Sequence, residues 1–481
     1  MPKPSDQLTF FQLAAYAAPS MVIALAVIPV NAVLPTLYSQ RARVSITAVG
    51  AIFMLRSIYD ALSDQLIGFL SDRTRTRLGA RLPWIIAGSA VTLLGMIYLF
   101  RIPSDAGVFY FCFWTIVFFT GATMVGIPHY AWGHELSPDY NERARVFGFK
   151  GVGDNIGGML FSVIPIALLF FGLMKTTDYT PDMVWLLGMI VMIALPIAVV
   201  WAWLRAPLGH VTSTARTSVR GLIRSVIHNK PFIRFFSAYI IAGTGYGVFV
   251  ALIFPFISTY LKIGYAFPHI LLATTIAGIV SVPFWVKVVY HIGKHRAWVY
   301  GWIANSLVLV PIIWVEPGES AAIPASILMG LYGFTNGVSM VAPFAILGDI
   351  IDYDNLKTGV DRGGNYFAFI MLAVKLLGST GGIALIILGS VFGYDLSEKA
   401  VNSDFANLGM LYMFIGAPAL FQLASLPLVW NFPIDARRHG TIRRRLEQRE
   451  ARAACGETGS TGCPSDECPG EKLIPSPDTS S

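Results

Sequence analysis

Apolar runs of about 20 residues, long enough to cross roughly 30 Å of hydrocarbon at 1.5 Å rise per residue, recur along the chain. They fall near 11–38, 47–71, 83–101, 107–136, 151–174 and 183–205, and again near 235–262, 269–291, 297–314, 321–348, 366–393 and 408–430. Short polar loops separate most of them, while one longer polar break, Ala206 to Phe232, divides the runs into two groups of six. The pattern predicts an all-α polytopic membrane protein with about twelve transmembrane helices in two pseudo-symmetric six-helix bundles. The expected units are an N-terminal bundle over 1–205, a central loop over 206–234, a C-terminal bundle over 235–430 and a largely disordered tail over 431–481.

Composition agrees with the pattern. The residues are 55% hydrophobic and only 13% charged, with a mean hydropathy of +0.61, far above what a soluble chain of this length sustains. A net charge of +7 raises the question of nucleic acid, but the basic residues lie between apolar segments rather than along one face, so no nucleic-acid partner is expected. Topology explains them better. Arg73, Arg75, Arg77 and Arg81 share one loop, Arg143, Arg145 and Lys150 the next on the same side, and Arg216, Arg220, Arg224 and Lys230 the central one. The opposite loops mix Arg41, Arg43, Lys175 and Lys262 with Asp178, Asp182, Glu316 and Glu319, and the positive-inside rule then places both termini in the cytoplasm. The expected setting is the cell (inner) membrane, as a multi-pass monomer whose partners are the lipid bilayer and a small-molecule solute.

After Trp430 the chain is first basic, with Arg437, Arg438, Arg443, Arg444 and Arg445, and then rich in Gly, Ser, Pro and Thr. The basic stretch is expected as a short helix on anionic lipid and the remainder as disordered. Cys455, Cys463 and Cys468 in this tail lack partners for a zinc site, and with Cys112 they are expected to be free thiols. The first apolar run follows Lys3 and Asp6 without a cleavage-type end and reads as a retained first helix.

Charges inside the runs carry the chemistry. The second run places Arg56, Asp60 and Asp64 at i, i+4, i+8, one stripe of a helix that cannot face lipid. With Asp72 at the boundary, Asp64 lies about 12 Å and Asp60 about 18 Å deeper at helical rise. One arginine does not neutralise two aspartates, so a movable cation completes the balance more economically than a purely structural ion pair. Lys375 in the eleventh run is too central to snorkel, and the two aspartates are the negative charge available to it. Lys150 and Asp154, one turn apart in the fifth run, form a local ion pair or belong to the solute site. Tyr130 and Trp132, beside His129, are candidates to stack a sugar ring, against the alternative that they only pack. Pro19, Pro29, Pro35 and Pro128 are expected to kink helices and free carbonyls toward a cavity.

The run Asp60-x-x-x-Asp64-x-x-x-Gly68-x-x-x-Asp72-Arg73-Thr74-Arg75-Thr76-Arg77-x-Gly79-x-Arg81-x-Pro83-Trp84 resembles the signature of the glycoside–pentoside–hexuronide:cation symporters, the melibiose carrier group of the major facilitator superfamily. Glu135-Leu136-Ser137-Pro138-Asp139, Gly348-Asp349-Ile350-Ile351-Asp352-Tyr353 and Lys375-Leu376 fit the same group in order, and Gly293-Lys294-His295-Arg296 is a weaker echo of Gly79-Ala80-Arg81. The resemblance implies cation-coupled symport of a small sugar or glycoside-like solute. It assigns Asp60 and Asp64, with Ser63 and Thr123, to Na⁺ or H⁺, and Lys375 and Arg56 to coupling. It also places Asp72, Arg73, Arg77, Glu135, Arg143, Asp349 and Asp352 among the gating charges. Acidic sugar ligands of melibiose carriers correspond here to Ser20 and Gly126, which together with Tyr130, Trp132 and Asp154 make up the candidate solute site. Ser63 stands where Na⁺-using carriers have Asn, and the group's loop Glu before the eleventh helix is Gly363.

Loss of the sugar acids is shared with lysophospholipid carriers related to the group, which makes an amphiphile the alternative cargo. A non-transporting sensor is a further alternative, though the chain has no extra domain to report with. The sequence has no HExxH, GxSxG or phosphate-loop motif, so no enzyme is expected, and neither a cofactor nor a metal beyond the coupling ion. With the native cysteines replaced, Ser476→Cys is expected to resist an impermeant maleimide applied outside intact cells; labelling there would invert the topology.

Overall fold

Among the described residues the N-terminal half holds α1 (Phe10–Ala32), α2 (Leu34–Arg41), α3 (Ile46–Arg73), α4 (Leu82–Arg101), α5 (Val108–Glu135), α6 (Tyr140–Phe170) and α7 (Pro181–Arg205). The C-terminal half holds α8 (Lys230–Pro255), α9 (Phe267–Ile292), α10 (Lys294–Leu309), α11 (Ala322–Asn336), α12 (Val338–Thr358), α13 (Gly363–Ser390), α14 (Asp404–Leu411) and α15 (Ala417–Trp430), and α16 (Ala436–Glu457) follows. They come from a computed structural model that describes residues 7–42, 44–137, 139–208, 229–360, 362–397 and 400–457. Among these residues twelve spans are long and apolar enough to cross a membrane, so the chain is a multi-pass membrane protein of the expected fold class.

Local chemistry sets the helix starts. Thr9 and Gln12 form a capping box on α1, and the side chains of Ser45, Asp139 and Thr180 each accept a first-turn N–H of α3, α6 and α7. The Asp139 cap explains why α6 begins at Tyr140, well before the apolar run at 151. Its opening turns are polar and are held by an Arg145–Glu142 pair at 2.5 Å. In the first span the helix is interrupted at Val33 between Pro29 and Pro35, while Pro19 and Pro128 sit inside unbroken helices. The tenth span is also broken, between Asn336 and Val338 at Gly337.

The seam between the halves uses the second and fifth spans of each. α3 lies along α13 and α6 along α9, the two contacts being pseudo-symmetric equivalents. Glycine permits the closest approach: a Cβ on Gly50 would overlap the Gly382 carbonyl oxygen, and one on Gly389 would come within 2.5 Å of both Ile46 and Thr47. At the same end Thr177 donates to the Tyr265 carbonyl across the seam at 2.5 Å.

The tail departs from expectation. Its basic stretch forms α16, which packs on α12 instead of serving only as a lipid-facing segment. Ile442 and Leu446 are buried in a core cluster with Trp298, Trp302 and Tyr366. His439 Nε2 sits 3.2 Å from Asp349 Oδ1 and 3.1 Å from Asp352 Oδ2, and Arg449 donates to Asn355 Oδ1 at 2.7 Å. Two apolar side chains and specific ion pairs supply what a disordered segment lacks. α16 is described as far as Glu457; Cys463 and Cys468 lie outside the described residues, as do Arg216, Arg220 and Arg224 of the central segment.

The glycine contacts make the seam testable. Gly50→Leu and Gly389→Leu, whose side chains would enter the other helix, are each expected to lower the detergent melting temperature, whereas Gly126→Ala, whose Cβ would meet nothing within 4 Å, should leave it unchanged. Melting temperatures equal to the wild type in both seam variants would show that these contacts do not hold the seam closed.

Candidate functional site

Arg56, Asp60 and Asp64 project from one stripe of α3, as their spacing requires, and each is largely buried. Arg56 Nε lies 3.4 Å from Asp60 Oδ2. Its Nη1 donates to Asn31 Oδ1 of α1 at 2.5 Å, and its guanidinium lies 3.9 Å from the centroid of Phe119 on α5. Lys375 reaches across the seam from α13 and forms an ion pair with Asp64 Oδ2. Two cations and two carboxylates therefore neutralise one another at depth, where an uncompensated charge costs several kcal/mol. One oxygen of each carboxylate is left over: Asp60 Oδ1 and Asp64 Oδ1 are buried and have no hydrogen-bond partner among the described residues.

Thr123 and Ser63 sit at the same level. The helices α3 and α5 touch at Tyr59 with Thr120 (Oη to Oγ1, 2.8 Å) and at Gly68 with Ile127 (3.6 Å from a Cβ on the glycine), which brackets Ser63 and Asp64 on one side and Thr123 on the other. Ser63 is buried and spends its hydroxyl hydrogen on the Asp60 carbonyl at 3.2 Å, leaving lone pairs available.

The gating charges resolve into two equivalent devices. Arg81, at the start of α4, reaches Asp72 at 2.6 Å and Glu135 at 2.7 Å, tying the ends of α3 and α5 together. Burial works against its charge, but the hydrogen bonds to Glu135 and Asp72 outweigh that and hold its pKa above the ordinary arginine value. Lys294, at the start of α10, does the same for Asp349 of α12 at 2.6 Å. Each cation follows a glycine at positive φ, Gly79 at +85° and Gly293 at +89°, which lets the chain turn sharply into the helix. Arg73 and Arg77 do not join this set. Arg73 lies over the exposed ring of Phe69 at 3.8 Å and Arg77 is exposed, while Arg143 donates to the Ser137 carbonyl at 2.8 Å. Arg81 takes the place expected of them, and its signal in the sequence is the echo of Gly79-Ala80-Arg81 in Gly293-Lys294.

A cavity of about 520 Å³ lies against the charged stripe, touching Arg56, Phe53 and Asn31 but otherwise lined mainly by α8, α10, α11, α12, α13 and α15 of the C-terminal half. None of Ser20, Gly126, Tyr130, Trp132 and Asp154 lines it. Ser20 is buried against Gly153 of α6 and donates to the Ala17 carbonyl at 2.9 Å; Asp154 pairs with Lys150 at 2.8 Å; a Cβ on Gly126 would meet nothing within 4 Å. Tyr130 packs its ring against Phe147, with centroids 4.7 Å apart. Trp132 is corrected from solute ligand to packing residue. It is 2% exposed, its indole meets Tyr16 edge-on, and its N–H donates to the Pro207 carbonyl at 3.0 Å.

Residues 15–436 match the family model described as "MFS/sugar transport protein". The chain belongs to that family. It is therefore a major facilitator transporter, not an enzyme. It is 22% identical to an uncharacterized symporter of Synechocystis sp., over 83% of this chain and 90% of the relative. It is 21% identical to the sodium-dependent lysophosphatidylcholine symporter 1-A of Danio rerio, over 81% and 79%. Among solved structures, the nucleoside transporter NupG superposes with a TM-score of 0.61 at 12% identity, covering 87% of this chain and 99% of that one, a likeness of fold.

For the transporter, the charge balance at the stripe leads to a double-mutant test. Lys375→Ala leaves Asp64 uncompensated and should lower the detergent melting temperature. The loss should stay below the roughly 3–5 kcal/mol typical of a fully buried pair, because the Lys375 side chain is 38% exposed. Lys375→Ala/Asp64→Asn should recover part of it, and strict additivity of the two changes would show that they do not interact.

Proposed function

We propose that this transporter is a symporter that couples Na⁺ or H⁺ to the movement of a small, hydroxylated, sugar-like solute by alternating access, with the basic end and both termini in the cytoplasm. The observation that carries the coupling is the pair of buried, unpartnered carboxylate oxygens on Asp60 and Asp64, one turn apart, with Lys375 of the opposite half on the second aspartate. Hard oxygen donors suit Na⁺, and a carboxylate suits H⁺. Before a cation enters, Arg56 and Lys375 balance both aspartates. An added positive charge upsets that balance, so Lys375 is released from Asp64. Because Lys375 and Asp64 belong to different halves, the exchange changes the free energy of the seam, and through it the balance between the two openings of the transporter.

A sugar-like cargo is supported by the family description and by the cavity, whose polar groups are uncharged apart from Arg56. A second reading, a lysophospholipid cargo, draws on the Danio rerio relative, which is as similar in sequence as the Synechocystis one. Both readings require the ion site.

Vesicle uptake under imposed Na⁺ or H⁺ gradients, with labelled glycosides, pentosides and lysophosphatidylcholine offered in parallel, measures coupling and cargo together. Asp60→Asn and Asp64→Asn are each expected to reduce gradient-driven accumulation to the level of empty vesicles while the protein still inserts. Normal ion-dependent accumulation by both variants would remove the two aspartates from the coupling mechanism.

A further inference from the structure

Contacts between the halves run from Lys375 on Asp64, through Gly378 beside Ser57 and Gly382 beside Gly50, to Gly389 beside Ile46, from the charged stripe toward the end opposite the arginine-rich loops. At that end a second line of contact closes the face formed by α6 and α9. It is made by Thr176–Tyr179, between α6 and α7, against the single 3₁₀ turn Gly264–Ala266 and the adjoining ends of α8 and α9.

Three successive residues take part, each in a different way. Thr177 is 2% exposed and donates its hydroxyl to the Tyr265 carbonyl. Asp178 comes so near Gly264 that a Cβ there would lie 2.7 Å from Asp178 Oδ1, and its other oxygen accepts from the Thr176 hydroxyl at 3.2 Å, which keeps the carboxylate from swinging aside. Tyr179 is buried and meets Phe254 and Phe267 of the other half edge-on, with centroids 6.1 and 5.7 Å away. Its ring stacks on Phe161 of its own half at 4.6 Å, and its phenol donates to the Phe161 carbonyl at 2.7 Å, so the ring moves with the N-terminal half.

The facing turn is fixed just as firmly to the C-terminal half. Lys262 holds a φ of +59°, which a non-glycine residue adopts where its surroundings impose it, and the Leu261 carbonyl accepts from the Gly318 N–H at 2.9 Å. Each side is thus rigid within its own half, while the link across is thin: one hydrogen bond, one close approach and two edge-on ring contacts. Thr176–Tyr179 also lies between the spans that end at Phe170 and begin at Pro181, so water can take over its hydrogen bonds when the halves part. The Lys375–Asp64 pair, at depth, has no such substitute.

We propose that Thr176–Tyr179 is a latch that closes the transporter at the end opposite the arginine-rich loops, and that its release from Tyr265, Phe254 and Phe267 opens the cavity to that side. The inference rests on the alternating access of the proposed symport and is independent of its ion and cargo.

The test is cysteine accessibility in the full-length protein with its native cysteines replaced. Met340→Cys is the reporter, because Met340 lines the cavity and is 52% exposed. Leu173→Cys, 69% exposed in the loop that carries the latch, reports full access and identifies the latch side of the membrane. An impermeant maleimide is applied to intact cells and to inside-out vesicles, and on the latch side Met340→Cys should react at least tenfold more slowly than Leu173→Cys. Thr177→Val keeps the shape and removes the hydrogen bond; Gly264→Leu drives a side chain against Asp178 from the other half, so a folding defect in one leaves the other informative. Each should speed latch-side labelling of Met340→Cys about fivefold to tenfold, the population shift expected from losing one net hydrogen bond. Background rates in both variants, or a Met340→Cys background that already reacts as fast as Leu173→Cys, would overturn the latch. Neither result bears on Asp60 and Asp64, whose variants are read by gradient-driven uptake.

Discussion

Four charged side chains at membrane depth, three of them largely buried and Lys375 partly exposed, constrain everything around them. Arg56, Asp60, Asp64 and Lys375 sum to zero only if both halves of the protein contribute, because Lys375 comes from α13 and the other three from α3. The seam between the halves is therefore an electrostatic joint as well as a packing surface. Lipid offers no alternative partner to either side, so separation of the halves at this depth has to be accompanied by a compensating charge. A coupling ion is the simplest such charge. The transporter family to which the chain belongs supplies the setting, and under the symport proposed above a coupling ion would act on the two bundles through this joint.

Around that joint the packing is graded. Toward the end opposite the arginine-rich loops, glycines on α3 and α13 bring the backbones into contact, an arrangement that works like a hinge plate with no side chains between its leaves. At the basic end each half carries its own brace, Arg81 in one and Lys294 in the other, at equivalent helix starts. These braces tie helices within a half and so keep each bundle rigid. Braced bundles that meet closely along one seam are what rocking motions require.

Much of this is legible in the sequence because helical geometry is local. The i, i+4, i+8 spacing of Arg56, Asp60 and Asp64 fixes a common stripe in any helix, and a lone lysine within an apolar run announces a buried partner. The features that are not legible depend on how helices rotate against one another. Trp132 and Tyr130 sit on the same helix as Thr123, yet whether an aromatic ring faces a cavity or a neighbour is decided by α1, α6 and the segment after α7, not by the local pattern. α16 reads as a lipid-surface segment because Ile442 and Leu446 are sparse in a strongly basic stretch, and its docking depends on acidic residues far away in the chain.

The docking of α16 has a practical side. His439 shares Asp349 with Lys294, the brace of the C-terminal half, so α16 is stitched to the same carboxylate that holds α10 to α12. A reporter or affinity handle joined directly after Trp430 would discard that stitch and expose Ile442's binding surface, whereas one joined beyond Glu457 would leave it in place. Where the handle is attached therefore decides whether a purified preparation keeps its C-terminal half as it stands in the intact chain.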